Sequence, residues 1–288
     1  MVTLDILLAS VAVLGLGAAT IHDLRTREVP DWITYSMIIA GFGIRIIGAL
    51  GPESWQYIAS AFIGLAITYA LGSVMYYAKQ WGGGDAKMMM ALGVLFATRP
   101  DFVRETAMPF LGEIFINILM VGALYGLLWG FVLAWKQRKK FTLVARQMLQ
   151  ERKMIKIRMI AIGGAVAIMF VAFNVQDVFI KITIMTFSLL VLLYPYLWIY
   201  VKSVEKTCLY KYVTPKELTE GDWVEEDILV NKRVVYKVKN TGIEKEDIQK
   251  LIRAKVKRVL VKEGIPFIPP FLIGTVLALL QISFLNFF

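Results

Sequence analysis

The chain has 288 residues, of which 58% are hydrophobic, and a formal net charge of +10. This hydrophobic fraction is above the roughly 45–50% of soluble globular domains and favours a polytopic membrane protein. The single cysteine excludes an intramolecular disulfide and a multi-cysteine zinc site, and the single histidine argues against a histidine-based metal centre.

Apolar segments recur along the chain at lengths that suit membrane helices. A helix rises about 1.5 Å per residue, so about 20 residues cross a hydrocarbon layer of about 30 Å. The predicted spans are 3–20, 32–50, 56–78, 86–98, 109–135, 159–174, 178–200 and 267–287. The predicted fold is therefore an all-α polytopic membrane protein of about seven or eight transmembrane helices, with a small α+β cytoplasmic domain before the last helix.

Positive charge is concentrated in KQRKKFTLVARQMLQERKMIKIR at 136–158, which has nine basic residues and the single acid Glu151. Such loops remain on the cytoplasmic side of the cell membrane. Counting crossings from there puts residues 25–27 and 203–265 in the cytoplasm and both termini outside. Charge alone also fits nucleic-acid binding, but the flanking spans favour orientation or contact with anionic lipid. We therefore expect the lipid bilayer as a partner and no nucleic acid.

The polar residues 203–265 are predicted to form the α+β domain. The segments DWVEEDILV, RVVYKVK and VKRVLVK have strand character, and EKEDIQKLIRAK has helical spacing. Substrate recognition, gating of access and plain stabilisation are all compatible with this pattern.

Two aspartates lie against the ends of apolar spans, Asp23 in TIHDLRTREVPDW and Asp85 in QWGGGDAK. The two spans between them are an even number of crossings, so both carboxyl groups are expected at the same, cytoplasmic boundary. Each also has a structural interpretation. Asp85 suits the cap of a helix that begins at Ala86, and Asp23 suits interfacial charge beside Arg25 and Arg27.

Two facing carboxyl groups support aspartyl hydrolysis without metal, cysteine or serine. Close like charges do not both ionise easily, so the pair holds one shared proton. The ionised member takes a proton from the attacking water, and the protonated member hydrogen-bonds the carbonyl oxygen. Gly82, Gly83 and Gly84 allow positive φ and close approach of another backbone, although a flexible loop explains them equally.

The pair of motifs D-L-R-T-R-E-V-P-D-W, from Asp23, and G-G-G-D-A-K, from Gly82, resembles the type IV prepilin peptidase family. The resemblance is strongest to its archaeal members, the preflagellin (prearchaellin) and prepilin peptidases, which belong to the G-x-G-D membrane aspartyl proteases. The residues that match the family pattern are Asp23, Thr26, Pro30 and Asp31 in the first motif and Gly82, Gly84 and Asp85 in the second.

The resemblance implies that Asp23 and Asp85 are catalytic and that no metal or organic cofactor is needed. It also implies the substrate, a pilin-like or archaellin precursor with basic residues before the cut and a hydrophobic helix after it. The paired cysteines of many bacterial members are missing, so methyltransferase activity is not predicted. Archaeal origin and cleavage at the cytoplasmic face follow from the same resemblance.

Other residues in or near the motifs are expected to support the loops or bind substrate, namely Thr26, Pro30, Gly82, Gly84 and Lys87. Pro30 ends the preceding helix, and Asp31 is placed to cap the next one. Lys87 either acts on the charge of Asp85 or reaches lipid phosphate. In the outer half of the membrane, Arg45 and Glu113 are expected to pair with each other or to reach the interface.

The predicted organisation is a catalytic transmembrane domain at 1–135, a basic cytoplasmic loop at 136–158, two transmembrane helices at 159–202, the soluble domain at 203–265 and a C-terminal transmembrane helix at 266–288. Two other functions use the same residues. In an ion-coupled transporter the two aspartates would bind a cation or proton, although the chain lacks the internal repeat typical of that class. In an assembly scaffold both aspartates would be replaceable. The sequence leaves the oligomeric state open.

Overall fold

The computed structural model describes residues 2–51, 55–230, 233–239 and 241–282. The helices are α1 (Val2–Thr26), α2 (Asp31–Ala49), α3 (Gln56–Tyr77), α4 (Gly83–Leu95), α5 (Phe110–Lys136), α6 (Arg138–Gln150), α7 (Arg152–Phe173), α8 (Val178–Val204), α9 (Lys245–Arg253) and α10 (Ile268–Leu279). In these ranges six helices, α1–α3, α5, α7 and α8, are long and apolar enough to cross a membrane. The predicted fold class, a multi-pass helical membrane protein with a small α+β part, is confirmed.

Three helix ends differ from the sequence prediction. Helix α1 continues to Thr26, so Asp23 lies in its last turn and not after it. Helix α4 begins at Gly83, three residues earlier than expected, and its 13 residues give a length of about 20 Å. Helix α10 ends at Leu279, and residues 283–287 of the last predicted span lie outside the described residues.

The basic segment 136–158 is helical, although a loop was expected. Helix α6 fills most of it, and α7 begins directly after Glu151. The reason is an apolar stripe at helical spacing, which packs Phe141, Val144 and Met148 into small clusters with residues of α8. The basic side chains Lys139, Lys140 and Arg146 remain exposed.

The strands are β1 (Tyr210–Val213), β2 (Trp223–Val224), β3 (Ile228–Val230), β4 (Arg233–Tyr236) and β5 (Val259–Lys262), and a π-helical turn at Glu205–Leu209 precedes β1. Strands β3 and β4 form an antiparallel pair in which Ile228 lies opposite Tyr236. The predicted strand segments and helix α9 are therefore present, with DWVEEDILV divided into β2 and β3. Strand β1, the four residues YKYV that follow the π-helical turn, was not predicted.

Contacts divide the chain into two units. The first contains Met1–Gly126, Thr214–Val259 and Gly264–Phe288, and the second contains Leu127–Val213 and Leu260–Glu263. The first unit holds the main core, in which the fully buried ring of Trp81 lies 5.0 Å from that of Phe271. The second unit is built mainly from α7 packed on α8, with α6 alongside. Both candidate aspartates lie in the first unit.

Small residues bring α4 directly against α3. A Cβ atom at Gly64 would lie 2.2 Å from the carbonyl oxygen of Gly93, and one at Gly93 would lie 2.0 Å from Oγ1 of Thr68. The backbones therefore approach closely, and the side chains of α4 are largely buried, including Met88, Met89 and Leu92. This packing fixes the helix whose first turn carries Asp85.

Candidate functional site

Asp23 is buried in the last turn of α1, with 5% of its surface exposed. Its Oδ2 accepts a hydrogen bond of 2.8 Å from the backbone N–H of Ile268, the first residue of α10. A carboxylate at this position satisfies a backbone donor and meets the positive end of the helix dipole. Asp23 is therefore buried, although Arg27 lies near enough for its charge to act on this carboxyl group. Sequence reasoning missed the contact with Ile268 because the partners are 245 positions apart.

Asp85 lies in the first turn of α4. Its Oδ2 accepts a hydrogen bond of 2.9 Å from the backbone N–H of Gly82, the residue that precedes the helix. A carboxylate at the third helical position commonly reaches back in this way. The expected capping role is therefore present, but for a helix that begins at Gly83 and not at Ala86.

The structure brings the two predicted aspartates into one neighbourhood. Helix α1, which carries Asp23 in its last turn, packs against α4, which carries Asp85 in its first turn. Among the described residues, no three side chains of histidine, cysteine, aspartate or glutamate come together as metal ligands would.

The two motif segments contact each other through Gly84 and Lys87. A Cβ atom at Gly84 would lie 3.1 Å from Cβ of Val29, so the absence of a side chain allows this approach. Nζ of Lys87 lies 2.6 Å from Oδ1 of Asp31. Lys87 thus pairs with Asp31, in place of the two expected roles, and Asp31 is the first residue of α2 and makes no side-chain cap. The pair is half-exposed and stabilises by about 0–1 kcal/mol.

Thr26 and Pro30 shape the loop between α1 and α2. Oγ1 of Thr26 donates to the carbonyl oxygen of His22 at 3.0 Å and lies 3.3 Å from that of Glu28. Pro30 has φ of −60° before α2, and its carbonyl oxygen accepts from the N–H of Ile33. Both residues therefore support the loop that follows Asp23.

None of the three glycines has positive φ, and one of them, Gly84, allows a close contact with another segment. Among the described residues, the glycines with positive φ are Gly221 and Gly242, so Gly82, Gly83 and Gly84 have ordinary backbone angles. Gly82 is extended, with φ of −73° and ψ of 168°, and donates its N–H to Asp85. The contact of Gly84 with Val29 is the one that a side chain would disturb.

Arg45 and Glu113 do not pair with each other, which was one of the two expected alternatives. The guanidinium of Arg45 is fully buried and donates to the carbonyl oxygens of Val94 at 2.9 Å and Leu95 at 3.1 Å. Glu113 instead accepts from Arg99 at 2.8 Å. Arg45 therefore satisfies the last carbonyl groups of α4 and meets the negative end of its dipole, where lipid offers no donor. In the sequence, the shortness of the predicted span 86–98 is the signal that could have indicated a polar partner for the end of α4.

Comparisons with known proteins agree with the motif resemblance. Residues 10–134 match the type IV leader peptidase family. The chain is 36% identical over 87 residues to a preflagellin peptidase of Methanocaldococcus jannaschii. The aligned segment covers 30% of this chain and 36% of that protein. It is 31% identical over 85 residues to a preflagellin peptidase of Methanococcus maripaludis, with coverage of 30% and 36%.

A longer but weaker similarity extends to the prepilin peptidase EppA of Methanothermobacter thermautotrophicus, at 22% identity over 183 residues, 59% of this chain and 47% of that protein. The chain thus matches about a third of the length of the two preflagellin peptidases, 36% in each case. No solved structure gives a significant match. The resemblance to this family and to its archaeal members is confirmed for the region that contains Asp23 and Asp85.

Proposed function

We propose that this chain is a membrane-embedded aspartyl endopeptidase that removes the leader peptide from pilin-like or archaellin precursors, with Asp23 and Asp85 as its catalytic pair. The match of residues 10–134 to the type IV leader peptidase family supports the peptidase activity, since that region contains both aspartates. The observation that carries the proposal is the packing of α1 against α4, the two helices that carry the aspartates. The contact between Gly84 and Val29, which joins the motif segments, adds to that support.

In the proposed reaction the pair begins with one proton. The ionised carboxylate takes a proton from water as the water oxygen attacks the carbonyl carbon of the scissile peptide bond. The protonated member hydrogen-bonds the carbonyl oxygen, and a proton then passes to the leaving nitrogen as the C–N bond breaks. Because the pair titrates as a unit, the first proton belongs to the pair and not to a named residue.

The proposed location is the cell membrane, with the site at the cytoplasmic face and both termini outside. The nine basic residues of 136–158 support this orientation. The exposed cations Lys139, Lys140 and Arg146 of α6 also suit contact with anionic headgroups of the bilayer. A leader with basic residues before the cut and an apolar helix after it is the proposed substrate.

The proposal is tested by cleavage of a membrane-inserted precursor with a basic leader, in detergent that contains a metal chelator. We expect Asp23→Asn and Asp85→Asn each to lower the rate by about 10²–10⁴-fold, the usual contribution of a general acid or base. The matched control is Asp101→Asn, because the Asp101 side chain is exposed and outside both motifs. Cleavage at the wild-type rate by either motif variant would contradict the proposal.

A further inference from the structure

A feature that the proposed reaction does not use is the backbone contact of Asp23. A catalytic carboxyl group must reach a water molecule and a scissile carbonyl group. In this structure, however, Oδ2 of Asp23 is occupied by the N–H of Ile268, and both residues are almost fully buried. A substrate that approaches Asp23 therefore meets a segment of the same chain that already contacts this carboxylate.

That segment packs against a surface of the first unit formed by Trp81, Ile118 and Gly122, which we call the seat. Residues 263–267 are irregular, and the apolar helix α10 follows them without a charged residue. A Cβ atom at Gly122 would lie 2.4 Å from Cζ of Phe267, so the Phe267 ring occupies the space that a side chain would need. The Phe271 ring packs against Trp81, and a Cβ atom at Gly274 would lie 2.8 Å from the backbone nitrogen of Ile118. The absence of side chains at Gly122 and Gly274 therefore makes room for this segment.

The orientation of the segment at Asp23 is unproductive for hydrolysis. The carboxylate contacts the N–H of the peptide group that joins Phe267 to Ile268, whereas cleavage requires a water molecule directed at a carbonyl carbon. The following residues Pro269 and Pro270 have fixed φ and no N–H, which restricts rearrangement of the backbone. The bond beside Asp23 is thus held in place without being presented for attack.

We propose that residues 264–271 are an internal pseudosubstrate, and that their seat is the binding site for the precursor segment at the cleaved bond. The ligand class follows from the occupant, which is a peptide that is irregular at Asp23 and continues as an uncharged apolar helix. The incoming precursor displaces the chain's own segment from Asp23 before it is cleaved. This inference rests on the proposed function and adds to it a binding site and a means of control.

The test combines a cleavage measurement with a chemical one that does not require cleavage. Ile268→Pro removes the N–H that binds Asp23, and proline is well accepted at the first position of a helix. Phe267→Ala is the second variant, because it leaves every backbone donor in place and removes the ring that contacts Gly122. The matched control is Ile273→Val, whose side chain is 45% exposed on the same helix.

Labelling of Asp23 by dicyclohexylcarbodiimide, measured by peptide mass spectrometry, reports access to the carboxyl group. We expect labelling to rise at least several-fold in Ile268→Pro and Phe267→Ala and to stay at the wild-type level in Ile273→Val. In precursor cleavage, the two segment variants, Ile268→Pro and Phe267→Ala, should show a KM lowered several-fold with kcat within about twofold of wild type, since less binding energy is used in displacement.

Unchanged labelling of Asp23 in both segment variants would contradict the proposed pseudosubstrate role of residues 264–271. So would increased labelling with a kcat that falls and a KM that does not, since the N–H of Ile268 would then position Asp23 for catalysis. In both cases wild-type cleavage leaves the proposed function standing. Absence of precursor cleavage by the wild type would instead overturn the proposed function, and the pseudosubstrate with it.

Discussion

At the residue scale, Arg45 is the buried cation on which the end of α4 depends. Its guanidinium donates to the carbonyl oxygens of Val94 and Leu95, and it also lies over the ring of Tyr57. We expect Arg45→Met to destabilise the protein by about 1–3 kcal/mol for each carbonyl group left without a donor. Arg45→Lys should be intermediate, because an ammonium group cannot reproduce the planar fork.

The measurement for Arg45 is the apparent midpoint of thermal unfolding in detergent. Arg104→Met is the control, since Arg104 is exposed and has no described side-chain contact with another helix. A midpoint for Arg45→Met equal to that of the control would show that α4 does not need this partner.

A second residue-scale prediction concerns Asp247 at the start of α9. Hydrogen bonds from Lys239 and Lys250, both at 2.7 Å, lower the pKa of Asp247 below its usual value near 3.9. A lowered folded-state pKa contributes stability above the unfolded pKa, and this is lost as pH falls through the folded value. Asp247→Asn should therefore lower the unfolding midpoint by a few degrees at pH 7 and have little effect near pH 2.

The measurement for Asp247 is a series of unfolding midpoints between pH 2 and pH 8, compared with Glu246→Gln in the same helix turn. A difference between Asp247→Asn and wild type that remains constant across this range would contradict the assigned ion pairs.

At the element scale, the packing of α4 on α3 leaves no room for a side chain at Gly93. Gly93→Ala would place Cβ within 2.0 Å of Oγ1 of Thr68 and 2.6 Å of the carbonyl oxygen of Gly64. We expect a loss of stability of about 1–3 kcal/mol, as for other overpacked cores. In Gly43→Ala, the control on α2, the new Cβ meets nothing within 4 Å. Equal unfolding midpoints for the two variants would refute this packing.

The elements that sequence could predict are those with a local signal. Long apolar runs located the six candidate spans, segments of strand character located β2, β3 and β4, and alternating residues located β5. The ends of α1 and α4 were missed because Asp23 and Asp85 look like polar stops, whereas each satisfies backbone N–H groups. The pairing of Lys87 with Asp31 was missed for the same physical reason. The contacts of Asp23 with Ile268 and of Lys87 with Asp31 join residues that are distant along the chain, and no local pattern encodes them.

At the scale of the whole molecule, the proposed topology predicts which positions a membrane-impermeant thiol reagent reaches. In a Cys208→Ala background, Lys139→Cys and Glu226→Cys should react only from the cytoplasmic side, and Asp101→Cys and Gln176→Cys only from the other. All four replaced residues are exposed, so each should react once its side is accessible. The extent of reaction is compared between sealed right-side-out and inside-out membrane vesicles. Reaction of Lys139→Cys and Asp101→Cys from the same side would contradict the predicted crossings.

The catalytic role of the two aspartates as one unit is the central claim. Groups that act together are strongly non-additive, because removal of either abolishes the function of both. The most direct test is the rate of precursor cleavage by Asp23→Asn, Asp85→Asn and the double variant. The account predicts that the double variant cleaves no more than a few-fold slower than either single variant. A double variant whose loss equals the product of the two single losses would show that Asp23 and Asp85 act independently, and would contradict the shared-proton pair.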